Sequence, residues 1–282
     1  MTFFFLQFAG ECKKLFARKR TYIGFLIFFL VEIALVMLLQ LPRNHRFIVK
    51  TLSANGYGDA EHYFSGLTLG YFVLIFAVMM IGSLYLALVA GDIVSKEVED
   101  GTMRMMLCRP ISRFRLLLVK YLACILYTIV LTVFAAVSAL IVGLIYRGAG
   151  GLFAVGPDQG VFALYEFGEG LQRYALSVPL LALSLVTVTS IGFLFSCLRM
   201  KPSAATIVTL SIFFVDWVLF HIPFFEGIRK YFLFDRMSQW VLVYDYTFSW
   251  ATLAENYVGL IAVQLTLFVV GWLAIEFRDF KN

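Results

Sequence analysis

Apolar and polar positions fall into blocks along this chain. Six long apolar runs stand near Tyr22 to Leu41, Leu67 to Ala90, Leu116 to Tyr146, Leu176 to Leu198, Ser203 to Phe225 and Val258 to Ile275, with polar connections between them. A helix rises about 1.5 Å per residue and crosses the hydrocarbon core of a bilayer with about 20 mostly apolar residues. The pattern therefore predicts six transmembrane helices, since a segment surrounded by lipid must satisfy its own backbone. Composition excludes a soluble protein: 61% of the 282 residues are hydrophobic and mean hydropathy is +0.88. The expected fold class is an all-α integral membrane protein, a single transmembrane domain over residues 1–282.

The head before the first run carries Lys13, Lys14, Arg18, Lys19 and Arg20, and no small-residue cleavage site follows that run, so the first span is expected to be retained. The connection between the second and third runs is also basic, with Lys96, Arg104, Arg109, Arg113, Arg115 and Lys120, while the connections on the other side are sparser. The positive-inside rule then predicts that both termini are cytoplasmic. The formal net charge of +5 follows from this topology. Basic helix ends meet anionic lipid headgroups, and no nucleic-acid partner is implied. Cys12, Cys108, Cys124 and Cys197 lie in cytoplasmic segments or spans and lack metal-ligand spacing, so neither an extracytoplasmic disulfide nor a metal site is expected.

Three connecting segments carry the candidate chemistry. The head, residues 1–21, places Phe5, Phe8, Cys12, Leu15 and Phe16 on one helical face and Glu11, Lys13, Lys14 and Arg18 largely on the other, an amphipathic helix in the membrane interface. It serves either as a plain anchor or as a support for a partner subunit. Within residues 91–115, Gly101 is expected to end the helix continuing from the second span and Thr102 to cap a short helix, Met103 to Cys108. Pro110 stops that helix and Ser112 caps the third span, with Arg113, Arg115 and Lys120 snorkelling to the headgroups. Met103, Met105, Met106 and Leu107 offer adaptable apolar surface to a groove on another protein, or else rest in lipid.

On the opposite side, Asn55 to Asp59 reads as a turn-rich loop, and Gly66 with Gly70 forms a GxxxG at the start of the second span. Residues 224–257 hold aromatic stretches broken by charges, read as short re-entrant helices, with an interfacial aromatic belt as the competing description. Glu32, Asp216 and Gln264 fall inside spans. They are candidates for a substrate path or dimer interface, or for structural pairing between helices.

Glu97, Glu99 or Asp100, Gly101, Thr102, Leu107, Pro110, Ser112, Arg113 and the distal Lys120 resemble the acidic, Gly-Thr, Leu-Leu, Pro-x-Ser-Arg, Lys pattern of type-2 ABC exporter permeases. The likeness extends to the basic head, the six spans, the long connection before the last span and the tail Phe277-Arg278-Asp279-Phe280, which has one basic residue fewer than the family's usual Phe-Arg-Arg-Asp. The resemblance implies a permease that moves substrate outward and pairs with a second permease, identical or related. It also implies two cytoplasmic ATPase subunits, which hold the ATP and Mg. Glu97, Glu99, Gly101, Thr102, Leu107, Arg109, Pro110, Ser112 and Arg113 would form its coupling element, braced by Phe8, Lys13, Lys14 and Arg18 of the head helix.

The chain itself has no G-x-x-x-x-G-K-[ST], and no cofactor is expected on it. Enzymatic motifs are likewise missing, since His45, His62 and His221 lack an i+4 partner and Gly82-Ser83 lacks a base. Two alternatives stay open. One is an ATPase-coupled device that transmits force to a periplasmic or extracellular assembly without transport. The other is an ion-coupled secondary transporter with Glu32 or Asp216 carrying protons, against which stands the lack of paired Gly/Pro-interrupted helices in two corresponding halves.

Overall fold

The computed structural model describes residues 2–42, 50, 60–108 and 111–278. Helix α1, Thr2–Phe16, leads through a two-residue break into α2, Lys19–Leu39. The short α3, Ala60–Tyr63, precedes α4, which runs from Gly66 to Glu99 and passes through a π-helical stretch at Leu74–Gly82. Next come α5, Thr102–Leu107, and α6, Arg113–Arg147. A hairpin of β1, Leu152–Gly156, and β2, Val161–Tyr165, separates α6 from α7, Phe167–Cys197. Helix α8, Pro202–His221, is followed by a 3₁₀ segment at Pro223–Tyr231, by α9, Leu233–Ser238, and by a second 3₁₀ segment at Gln239–Tyr244. Helix α10, Trp250–Glu276, is last.

Six of these helices, α2, α4, α6, α7, α8 and α10, are long and apolar enough to cross a membrane. At about 1.5 Å per residue, the 34 residues of α4 and the 35 of α6 reach about 50 Å, well beyond a hydrocarbon core of about 30 Å. Their ends therefore stand clear of the bilayer and carry the polar connections. Helix α7 lies innermost, with a polar ridge of buried Ser184, Thr187, Thr189 and Ser190. In lipid such hydroxyls are stabilised by bonding to their own helix or to a neighbour. Ser190 meets the Tyr121 hydroxyl at 2.7 Å and Thr189 meets Thr128 at 2.8 Å, both on α6.

The GxxxG at Gly66 brings α4 against α6. A Cβ at Gly66 would stand 2.5 Å from the carbonyl oxygen of Gly143, and one at Gly70 would be 3.5 Å from the Cα of Leu140. Absence of side chains lets the two backbones touch there, the usual device for packing helices where no hydrophobic driving force operates.

The hairpin was not expected from the hydropathy pattern. Its two five-residue strands pair antiparallel, Leu152 with Tyr165 through Gly156 with Val161, around a connection ending in Gly160 at φ +68°. Phe64 bridges the other edge of β1. Tyr71 at the head of α4 donates to the Val155 carbonyl at 3.0 Å, and the Phe153 N–H donates to Thr68 at 2.8 Å. Arg173 in the first turns of α7 fastens this cap. Its guanidinium donates to the Val243 and Asp245 carbonyls at 2.6 and 2.7 Å and lies 4.2 Å over the Tyr165 ring. Burial pushes the Tyr165 phenol up to about 12, even though that guanidinium acts in the opposite direction.

The segment after α8 folds back along it. Asp216, five residues before the end of α8, accepts the backbone N–H groups of Leu233 and Phe234 at 3.2 and 2.6 Å. Those donors belong to the first turn of α9, which otherwise has no capping side chain. Met237 of α9 is fully buried. Residues 43–49 and 51–59, including the Asn55 to Asp59 loop, lie outside the described residues.

Candidate functional site

The side that bears α1 and the end of α10 holds the polar connection between α4 and α6. Helix α4 ends at Glu99 with Asp100 as its C-cap, and Gly101 takes φ +71°, a left-handed conformation that a side chain would strain. The chain turns there into α5. Thr102 is the first helical residue of α5, and its hydroxyl donates back to the Glu97 carbonyl at 3.2 Å. Met103 is buried and ties α5 to the core. Met105 is 67% exposed, and Glu99, Asp100 and Cys108 are exposed as well. Leu107 closes α5, while Arg109 and Pro110 lie outside the described residues. Ser112 caps α6, accepting from the Arg115 N–H at 3.3 Å.

Three residues of this pattern are turned inward. Glu97 is 3% exposed and Lys120 is fully buried. They pair at 2.7 Å, and Lys120 also reaches Glu11 of α1 at 2.9 Å. Lys14 of α1 pairs with Glu97 from the other side and lies 4.0 Å from Glu11. Lys120 thus does not snorkel, since two carboxylates within reach make burial cheaper than stretching to the headgroups. The third is Arg113, whose Nη1 donates to the carbonyls of Ile275, Glu276 and Arg278 at 2.8 to 2.9 Å, capping the C-terminal end of α10.

The same contacts correct the expected setting of the head helix. Its Glu11–Lys14 face is turned toward α4 and α6, while Phe5 and Leu6 are 64% and 69% exposed. Phe8 and Arg18 are half-buried and Lys13 is exposed. Leu15 is buried beneath the helix, and its carbonyl accepts the Thr21 hydroxyl at 2.7 Å. Helical spacing assigns residues to faces, and it does not say which face meets the bundle. A lysine about one turn inside an apolar run was the available signal for the missed cluster.

The polar residues within the spans are not brought together. Asp216 caps α9, as described above. Gln264 of α10 donates to the Leu183 carbonyl and the Thr187 hydroxyl of α7, both at 3.0 Å. Glu32 is fully buried on the stripe of α2 that also holds Phe28 and Val36. Its polar neighbours are the Ser138 hydroxyl and the Tyr174 phenol, and among the described residues no ion pair reaches it. A cavity of about 660 Å³ opens between α6, α7 and α10, lined by Ile125, Val133, Pro179, Ala182 and Gln264 among others, with almost wholly apolar walls.

Six described helices long and apolar enough to cross a membrane, two of them, α4 and α6, joined by the short helix α5, define a multi-pass membrane protein. The chain belongs to the ABC-2 family of transporter proteins, whose family model matches residues 9–276. It is also similar to a Bacillus subtilis (strain 168) protein described as uncharacterized protein YhcI, with 27% identity over 135 residues. That match spans 46% of this chain and 41% of the relative. A permease of this family works in general with a partner ATPase subunit.

Proposed function

We propose that this chain is the permease subunit of an ATP-driven exporter in a bacterial or archaeal cytoplasmic membrane, with both termini cytoplasmic. Two copies, or one copy and a related permease, move substrate outward while two separate ATPase subunits bind and hydrolyse ATP with Mg. The observation that carries this reading is α5. It is a short helix set off by the left-handed Gly101, anchored by Met103, and bearing the exposed Met105 between the exposed acids Glu99 and Asp100 and Cys108. A flexible thioether beside charges suits insertion into a groove of another protein. Closure of the ATPase pair would displace α5 and, through α4 and α6, rearrange the spans.

An affinity pull-down in mild detergent, with mass spectrometry and an ATPase assay, tests the proposal. A stoichiometric nucleotide-binding subunit is expected with the native chain and is expected to be lost with Met105→Asp. A native chain that purifies alone and without ATPase activity would reject the docking assignment.

A further inference from the structure

The cavity of about 660 Å³ between α6, α7 and α10 has the size of a small-molecule site, about 300–1,000 Å³, in which apolar walls surround a few placed polar groups. None of its lining residues lies within two turns of an end of its helix. Its mouth, where Ile129, Val133 and Leu265 are exposed, therefore opens at the level of the hydrocarbon core rather than the headgroups. The surrounding helices are tied to one another. Gln264 of α10 donates to the Leu183 carbonyl and the Thr187 hydroxyl of α7, both at 3.0 Å, and Tyr121 of α6 meets Ser190 of α7 at 2.7 Å. The space between them is preformed.

One polar group on its wall is left over. Pro179 stands inside α7 and has no N–H, so the Ala175 carbonyl lacks its usual helical donor. The hydroxyls of the same turn bond elsewhere: Tyr174 donates to the Ala136 carbonyl and Ser177 to the Tyr174 carbonyl, each at 2.8 Å. A helical carbonyl lies on the surface between its own residue and those three and four positions on, and residues 175, 178 and 179 all line the cavity. At membrane depth a carbonyl released by proline is satisfied by a neighbouring group. Here the space beside it is the cavity itself.

No charged side chain lines the cavity, and along α7 it extends from Ala175 to Val186, about 16 Å at the helical rise. We infer that it is a binding site for a neutral, elongated apolar molecule with one hydrogen-bond donor, such as a long-chain alcohol, which enters sideways from the bilayer and donates to the Ala175 carbonyl. This rests on the transport role proposed above and gives it a substrate class. A phospholipid is a poorer match, because its charged head would be stranded in hydrocarbon and its chains carry no donor.

Photolabelling of the chain alone in phosphatidylcholine nanodiscs tests the site. The probes are dodecanol with a mid-chain diazirine and the matching dodecane, and labelled peptides are mapped by mass spectrometry. Dodecanol is expected to label the cavity walls in preference to the exposed faces of α2 and α8, and unlabelled dodecanol is expected to compete. Pro179→Ala restores the N–H, pairs the Ala175 carbonyl and favours the helix. It is expected to lower dodecanol labelling of the cavity about threefold to tenfold, the contribution of one hydrogen bond, and to leave dodecane labelling unchanged. Ala182→Phe places a ring in the cavity and is expected to remove the preference for it with both probes.

Dodecanol labelling spread evenly over α2 and α8 as well would show surrounding lipid only and overturn the inference. An equal response of the two probes to Pro179→Ala would also overturn it. Disulfide formation between copies carrying Val133→Cys, with no label in the cavity, would show that a second copy covers the mouth and would reject the site. The pull-down is read separately. If no ATPase accompanies the native chain, the docking role of α5 fails while the labelling still decides the cavity.

Discussion

Replacing Asp216 with alanine removes the acceptor for two N–H groups at the start of α9. The Leu233 and Phe234 N–H groups lie 3.2 and 2.6 Å from its two carboxylate oxygens, and Asp216 is only half-exposed. A hydrogen bond to a charged group contributes about 1.5–3 kcal/mol, and a buried donor left unmade costs about 1–3 kcal/mol. Two such bonds cannot simply be summed, since water reaches part of the site, and loss of an N-terminal cap typically costs about 0.5–2 kcal/mol. An intermediate figure of about 2–4 kcal/mol for local opening of α9 corresponds to about 30- to 700-fold, at about 1.4 kcal/mol per factor of ten.

The assay is amide exchange in nanodiscs over residues 233–238. Asp216→Ala is expected to raise exchange there by that factor. Asp216→Asn, which keeps one carbonyl oxygen, is expected to fall between the alanine variant and the native chain. Exchange in 233–238 equal to native in both variants would refute the capping role and return Asp216 to the candidates for a substrate path.

Two further outcomes follow from the same geometry. Arg173→Lys keeps the charge but cannot serve the Val243 and Asp245 carbonyls while lying flat over Tyr165, so it is expected to lower the detergent-solubilised melting temperature and loosen the hairpin by about 2 kcal/mol. A melting temperature equal to native would contradict this. Glu32→Gln removes a buried carboxyl that has no cation among the described residues, at almost constant volume. Its melting temperature is expected to equal or exceed that of the native chain, because an intramembrane acid costs about 2.5–3.5 kcal/mol by insertion scales. A fall of several degrees would mean that Glu32 has an ionic partner in the assembled complex.

Much of the architecture is a one-dimensional property. Lipid can accept only segments that satisfy their own backbone, so long apolar runs must be helices, and their number and order could be read directly. Local breakers were legible for the same reason. Gly101 takes the positive φ that only glycine adopts cheaply, and Ser112 caps α6, because both depend on neighbours along the chain. The hairpin was hidden because Leu152 to Gly156 and Val161 to Tyr165 lack a polar alternation; the cap packs both strands, leaving β1 largely buried. The connection Pro157-Asp-Gln-Gly160 was its one local sign.

What the tertiary structure decided is which polar residue meets which. Glu97, Lys120 and Arg113 stood in sequence as members of one polar pattern, yet two of them bury against α1 and the third closes the end of α10. Asp216 and Gln264 stood as candidates for a substrate path, a dimer interface or structural pairing between helices, and in the fold one caps α9 while the other bonds to α7. Hydropathy is summed residue by residue and so is visible in the sequence. Whether a charge faces water, lipid or an opposite charge depends on the rotation and packing of helices far apart in the chain, and only the folded bundle sets that.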